Sequence, residues 1–143
     1  MGTIIKRKDL QALIDRTSQG IFLLDSKVTI PVNSCSINIG LLLSERMYKA
    51  KVNGLTANFA AELDSVLGEK NRDIILDNPD ILFSPEYGID VIKLLLQVGR
   101  NQRLYLQWPG EILGEKLTFS ELGRFDYRVY YIKDYIDTYV VLR

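Results

Sequence analysis

The chain has 143 residues, 47% of them hydrophobic and 25% charged, the proportions of one globular domain rather than of a disordered or collagen-like chain. Lys and Arg number 18 and Asp and Glu number 18, so no global charge draws it to nucleic acid or to an anionic membrane. With no His and with Cys35 as its one Cys, the chain is excluded from Ser-His and Cys-His catalysis, from His/Cys zinc sites and from an internal disulfide.

The residues from Met1 to Lys8 lack an apolar signal core, and no apolar run approaches the ~18 residues of a membrane span, so a cytoplasmic protein without a membrane partner is expected. Leu10, Leu13 and Ile14 fall at helical spacing between Lys8 and Ser18, with Gly20 as the stop. Ile21-Phe22-Leu23-Leu24 is a continuous apolar run too short for a helix and suits a strand buried on both faces. Pro31, Asn33 and Ser34 read as a turn or edge segment leading into a second strand, Cys35 to Ile39. Leu41 to Lys51 reads as a helix with Leu43, Met47 and Ala50 on one side. Asn53 is the expected cap of the next helix, whose apolar positions Leu55, Phe59, Leu63, Val66 and Leu67 recur at helical period before Gly68.

Asp73 to Asp77 reads as a buried strand ending in a carboxylate, followed by the turn chemistry of Asn78-Pro79-Asp80. Asp90 caps a helix carrying Ile92, Leu95, Leu96 and Val98, and Arg103 to Trp108 is the next strand, stopped by Pro109-Gly110. Strand and helix alternate, which favours an α/β sheet with parallel crossovers over residues 1–143 as a single domain. The last third differs: Leu117 to Phe119, Tyr127 to Ile132 and Tyr139 to Leu142 are short β-rich pieces, expected as a terminal hairpin or an edge addition to the sheet.

The pattern with most chemical content is Ile74-Ile75-Leu76-Asp77-Asn78. In P-loop NTPases an apolar strand delivers an acid at its C-terminal end, beside the phosphates, to position Mg²⁺ and the attacking water. Asp77 occupies that place, although Asp-Asn-Pro is equally good turn chemistry after any buried strand. A phosphate cradle further needs glycines whose backbone N–H groups converge on the phosphates, then a Lys and a Ser or Thr. Neither G-x-x-x-x-G-K-[ST] nor G-x-G-x-x-G occurs, and no Gly lies between Leu24 and Ile39. Asp73, Asp77 and Asp80 as a Mg²⁺ cluster are set against ordinary solvated strand ends. Lys6-Arg7-Lys8, Lys49 with Lys51, and Arg100 with Arg103 read as dispersed surface charge, so direct DNA binding is not expected. Trp108 and Cys35 read as core packing.

Gly40-Leu41-Leu42-Leu43-Ser44-Glu45-Arg46, Ile75 to Glu86, Arg100-Asn101-Gln102-Arg103, Trp108-Pro109-Gly110-Glu111 and Leu117-Thr118-Phe119 together resemble the small BrxF-type P-loop proteins of type III BREX anti-phage defence. Order and spacing match over residues ~36 to 130. The resemblance implies a compact P-loop-NTPase-like (Rossmann-like) sheet flanked by helices, in a cytoplasmic bacterial protein working beside defence proteins that methylate or restrict DNA. Relative to that pattern, the glycine-rich loop and its helix are missing, and Ser26 to Ser36 alone fill the interval. Asp77 then matches the strand-end acid. Gln107 matches the polar residue that senses the γ-phosphate, and Asn78 completes a residual nucleotide or Mg²⁺ site. Without a cradle the expected role is a non-catalytic accessory subunit, with no cofactor, that binds other defence proteins, a larger ATPase among the options. The alternative is a residual ATP/Mg-dependent NTPase using Asp77.

The C-terminal tyrosines are the other excess. In an extended strand Tyr127, Val129 and Tyr131 share one face and Tyr130 and Ile132 the other, so both faces need cover. Tyr130, Tyr135 and Tyr139 are accordingly the candidate interaction surface, for a partner or a homo-oligomer, with edge-strand core as the competing reading.

Overall fold

All five residues of Gly20–Leu24 are buried in the computed structural model, because this strand runs through the interior of a sheet covered on both faces. The structure describes residues 1–26, 28–29, 35–54, 58–68 and 73–143. In chain order the elements are β1 (Thr3–Lys6), a 3-10 turn at Arg7–Asp9 leading into α1 (Leu10–Arg16), β2 (Gly20–Leu24), β3 (Cys35–Asn38), α2 (Ile39–Val52), α3 (Phe59–Leu67) and β4 (Asp73–Asp77). A 3-10 segment at Pro79–Phe83 precedes α4 (Val91–Val98), β5 (Arg103–Gln107), β6 (Glu111–Leu113), β7 (Lys116–Phe119), β8 (Arg128–Tyr131), a 3-10 turn at Ile132–Asp134 and β9 (Thr138–Leu142).

A six-stranded sheet has the order β1-β9-β2-β5-β4-β3, every neighbouring pair parallel, and β6-β7-β8 form a small antiparallel sheet. The class is α/β, as the alternation of strand and helix predicts. On one face Ile21, Leu23, Ile74, Leu76, Leu104 and Leu106 join Leu43, Leu63, Leu67, Ile92 and Leu95 of the helices in the larger core. On the other face Phe22, Leu24, Tyr105 and Val141 meet Leu10, Leu13 and Ile14 of α1. Successive strand residues point to opposite faces, so the continuous apolar run of β2 feeds both cores at once.

The β-rich last third divides between the two sheets. Instead of one terminal hairpin or an edge strand, β7 pairs with β8 outside the main sheet, while β9 enters the main sheet between β1 and β2. The edge strands are β1 and β3, and β1 carries no periodic signal in sequence, since Thr3 and Lys6 flank only Ile4 and Ile5.

Three helix boundaries also differ, and the first is that of α1, which ends at Arg16 with Thr17 as its cap while Gly20 opens β2. The helix expected from Leu41 begins at Ile39, capped by Asn38, whose side chain accepts from the Leu41 N–H at 3.0 Å. At its second residue a Cβ on Gly40 would lie 2.6 Å from the Asn78 carbonyl oxygen, so only glycine lets α2 start against the end of β4. Asn53 closes α2 rather than opening α3, its N–H bonding the Lys49 carbonyl at 3.1 Å; Asn58 is the cap, accepting from Ala61 N–H at 3.1 Å. Either Asn suits a cap chemically, and local pattern does not choose between them. Leu55 and the turn residues Pro31, Asn33 and Ser34 lie outside the described residues. Asp90 and Gly99 bound α4 as read, with the Asp90 carboxylate accepting from Lys93 N–H at 3.1 Å. Among the described residues no helix is long and apolar enough to cross a membrane.

Candidate functional site

In a parallel sheet the carboxyl ends of the strands are where ligands gather, beside the point at which strand order reverses. Here β3, β4 and β5 end side by side, with Asn38 in register with Asp77 and Leu76 with Leu106, and β2 continues the row through Leu24 beside Gln107. A cleft of about 510 Å³ opens over these ends, lined among others by Asn38, Asp77, Asn78, Pro79, Gln107 and Trp108. Asp77, Asn78 and Gln107, distant in sequence, are thus brought to one place.

Each is held by local chemistry. Asn78 adopts a left-handed conformation, φ 52°, which Asn tolerates better than most residues and which turns the chain from β4 into the Pro79–Phe83 turn. The Asp77 side chain accepts a hydrogen bond from the Ser36 hydroxyl on the neighbouring strand β3. Ser36 was not singled out by sequence reasoning, since only the β3–β4 register puts it beside the acid. Asn38 is already engaged in capping α2, and the Trp108 N–H bonds the Leu24 carbonyl at 2.9 Å, tying the β2 end to the rim.

Charge decides what this cleft can hold. Of its described lining, Asp77 is the single ionisable residue, with no Lys or Arg among the lining residues described. Phosphate groups need backbone donors or cations converging on them, and the described lining contributes no cationic side chain. Comparison with protein-family models, with curated proteins and with solved structures finds no match.

The three acids do not converge. Asp73 sits at the opposite end of β4 from Asp77 and forms a two-pronged ion pair with Arg103, Nε to Oδ1 at 2.7 Å and Nη2 to Oδ2 at 3.0 Å. Among the described residues no group of three His, Cys, Asp or Glu side chains comes together as a metal site. Tyr105 also donates its hydroxyl to Asp73 at 2.7 Å, and Arg103 Nη1 reaches the carbonyls of Ile14 at 3.2 Å and of Thr17 at the end of α1. Burial, followed by the Asp73 carboxylate, pushes the Tyr105 phenol well above its usual range. Arg103 is therefore a partly buried tie between sheet and helix, not part of a surface patch. Lys6 and Lys49 also stand far apart, on the β1 edge and on α2 over the β3–β4 side.

The tyrosines have three different environments. Tyr130 is 5% exposed and lies in an aromatic cluster with Trp108 (centroids 5.6 Å apart) and Phe83 (6.3 Å), both edge-on. Its ring is core, so it offers no surface to a partner; the expected alternation holds, with Tyr130 and Ile132 inward and Tyr131 exposed. Tyr135 donates its hydroxyl to Asp90 at 2.8 Å, and burial and that carboxylate raise its pKa. Tyr139 stacks on Phe22 at 5.2 Å. Within this segment Tyr131 and Ile136 face solvent, and exposed large apolar side chains elsewhere include Leu122 and Phe125 in the β7–β8 loop, at 84% and 86% exposure, and Leu41, Tyr48 and Val52 on α2.

Proposed function

We propose that this chain is a non-catalytic accessory subunit that acts by binding other proteins, built on a P-loop-like sheet without its phosphate loop. By its resemblance to BrxF-type proteins, the partners are cytoplasmic components of a BREX-like anti-phage system, a larger ATPase among them. The observation that supports it is the cleft at the carboxyl edge, which keeps an acid and three amides but has no described cation to set against phosphate. Exposed Leu122 and Phe125 supply apolar surface of the kind that protein interfaces cover.

The residual-nucleotide reading is favoured by one feature, the adjacency of β2, β5 and β4, which sets Gln107 and Asp77 on neighbouring strand ends. Isothermal titration with ATP and Mg²⁺ separates the two. The expected result is no heat of binding and no phosphate release. Micromolar binding, or turnover that Asp77→Asn abolishes, selects the nucleotide reading instead.

Duplex DNA gives a second test. At zero net charge and physiological salt, affinity is expected to fall no tighter than the non-specific range of ~10⁻⁴ to 10⁻⁶ M by fluorescence anisotropy. Nanomolar binding that survives ~200 mM salt would make the protein a DNA-contacting module.

A further inference from the structure

Helix α2 is apolar on two opposite sides. Ile39 and Leu43, with partly buried Met47, face the core, whereas Leu41 (55% exposed), Tyr48 (68%) and Val52 (63%) face away from it. Together with exposed Glu45 these outward residues follow the spacing i, i+4, i+7, i+11, which is one continuous stripe on a helix of 3.6 residues per turn. A helix that merely covers a core carries charged side chains there. Three of the four stripe positions are apolar instead, as in a helix–helix seam, and its charged member Glu45 lies with Lys49 toward one flank.

We infer that α2 is a self-association surface, packing antiparallel against α2 of a second copy about a two-fold axis level with Met47. The charge pattern selects this occupant and this orientation. In a two-fold antiparallel pair the same flank of each helix meets its equivalent, so Glu45 of each copy faces Lys49 of the other and the pair forms twice. In a parallel two-fold pair this flank meets the opposite flank of the partner helix instead, and the two Glu45–Lys49 pairs are not made. Among the described residues neither Glu45 nor Lys49 enters an ion pair within the chain. The same two-fold axis brings the two Tyr48 rings together at the centre and Leu41 near Val52 at each end. Beside Tyr48 a groove bordered by Ser44, Met47, Ile81 and Tyr87 gives the second ring a place to lie. Self-association through α2 is independent of whether the cleft binds nucleotide.

One pair of helices buries less than the ~1,200 Å² of small stable interfaces, so a dimer that dissociates in the micromolar range is expected. Sedimentation velocity of the full chain from ~5 to ~500 µM is expected to show a concentration-dependent shift from monomer to dimer. Glu45→Lys and Lys49→Glu, each alone, should weaken self-association about tenfold or more, by placing like charges across the seam. An equimolar mixture of the two variants should restore dimerisation, because every cross pair is then opposite in sign. Leu122→Ser with Phe125→Ser should leave association unchanged. A wild-type chain that stays monomeric over the range, a mixture that does not recover, or a dimer lost with the Leu122 and Phe125 substitutions would each overturn the inference.

Discussion

Replacing Arg103 with Met is expected to lower the unfolding free energy by about 3–5 kcal/mol, the cost of removing one partner from a largely buried ion pair. The side chains of Arg103 and Asp73 are 17% and 18% exposed, so solvent screens the pair much less than an exposed one. The guanidinium spends two donors on Asp73 and one nitrogen on the Ile14 and Thr17 carbonyls. Its loss leaves a carboxylate facing the Tyr105 phenol with no guanidinium, and takes a donor from the C-terminal end of α1. Because α1 supplies Leu10, Leu13 and Ile14 to the second face of the sheet, the damage should spread through that smaller core. Urea unfolding followed by circular dichroism measures the effect. Adding Asp73→Asn to Arg103→Met is expected to recover part of the loss, since the buried charge disappears. A change of less than about 1 kcal/mol would mean that the pair behaves as an exposed one.

Phe83→Ala should be equally damaging, at about 3–5 kcal/mol for a fully buried aromatic. Phe83 has no exposed surface; it stacks on Phe119 of β7 at 4.4 Å and meets Trp108 edge-on at 5.2 Å. It is therefore the joint by which the antiparallel sheet grips the parallel one. Gly110 and Trp108 complete that joint. A Cβ on Gly110 would lie 1.8 Å from the Thr118 carbonyl oxygen, and the Trp108 indole donates to the same carbonyl at 2.8 Å. Tyr130→Phe offers the contrast. The Tyr130 hydroxyl is buried near Val91 N–H and Arg128 but makes no hydrogen bond among the described residues, so removing it should be neutral or slightly stabilising. Parallel urea titrations of the two variants distinguish ring packing from hydroxyl chemistry; a Tyr130→Phe cost above about 1 kcal/mol would show that the hydroxyl is satisfied in solution.

Local sequence carried most of the element types. The apolar run of β2, the caps Asp90 and Gly99 around α4, and the acid at the end of β4 are short-range signals, written within a few neighbouring residues. The place of Asp77 and Gln107 at one sheet edge was also legible, because parallel strands bring their carboxyl ends to the same side. Legibility failed where partner choice mattered. Nothing local marks Ser36 as the neighbour of Asp77, or Arg103 as the partner of Asp73 rather than of a surface patch with Arg100.

By itself, then, the amino-acid order determined the α/β class, the absence of a glycine-lysine phosphate loop and the inward and outward alternation around Tyr130, since each depends on residue type and period alone. Tertiary structure decided that β9 lies inside the sheet instead of at its edge, that Tyr130 belongs to the core, and that α2 keeps an apolar stripe turned outward. Those outcomes rest on which distant strand or helix covers a given face. A face of Tyr, Val or Leu looks the same in sequence whether the chain itself or solvent meets it, and the difference arises only when elements far apart in the chain pack together.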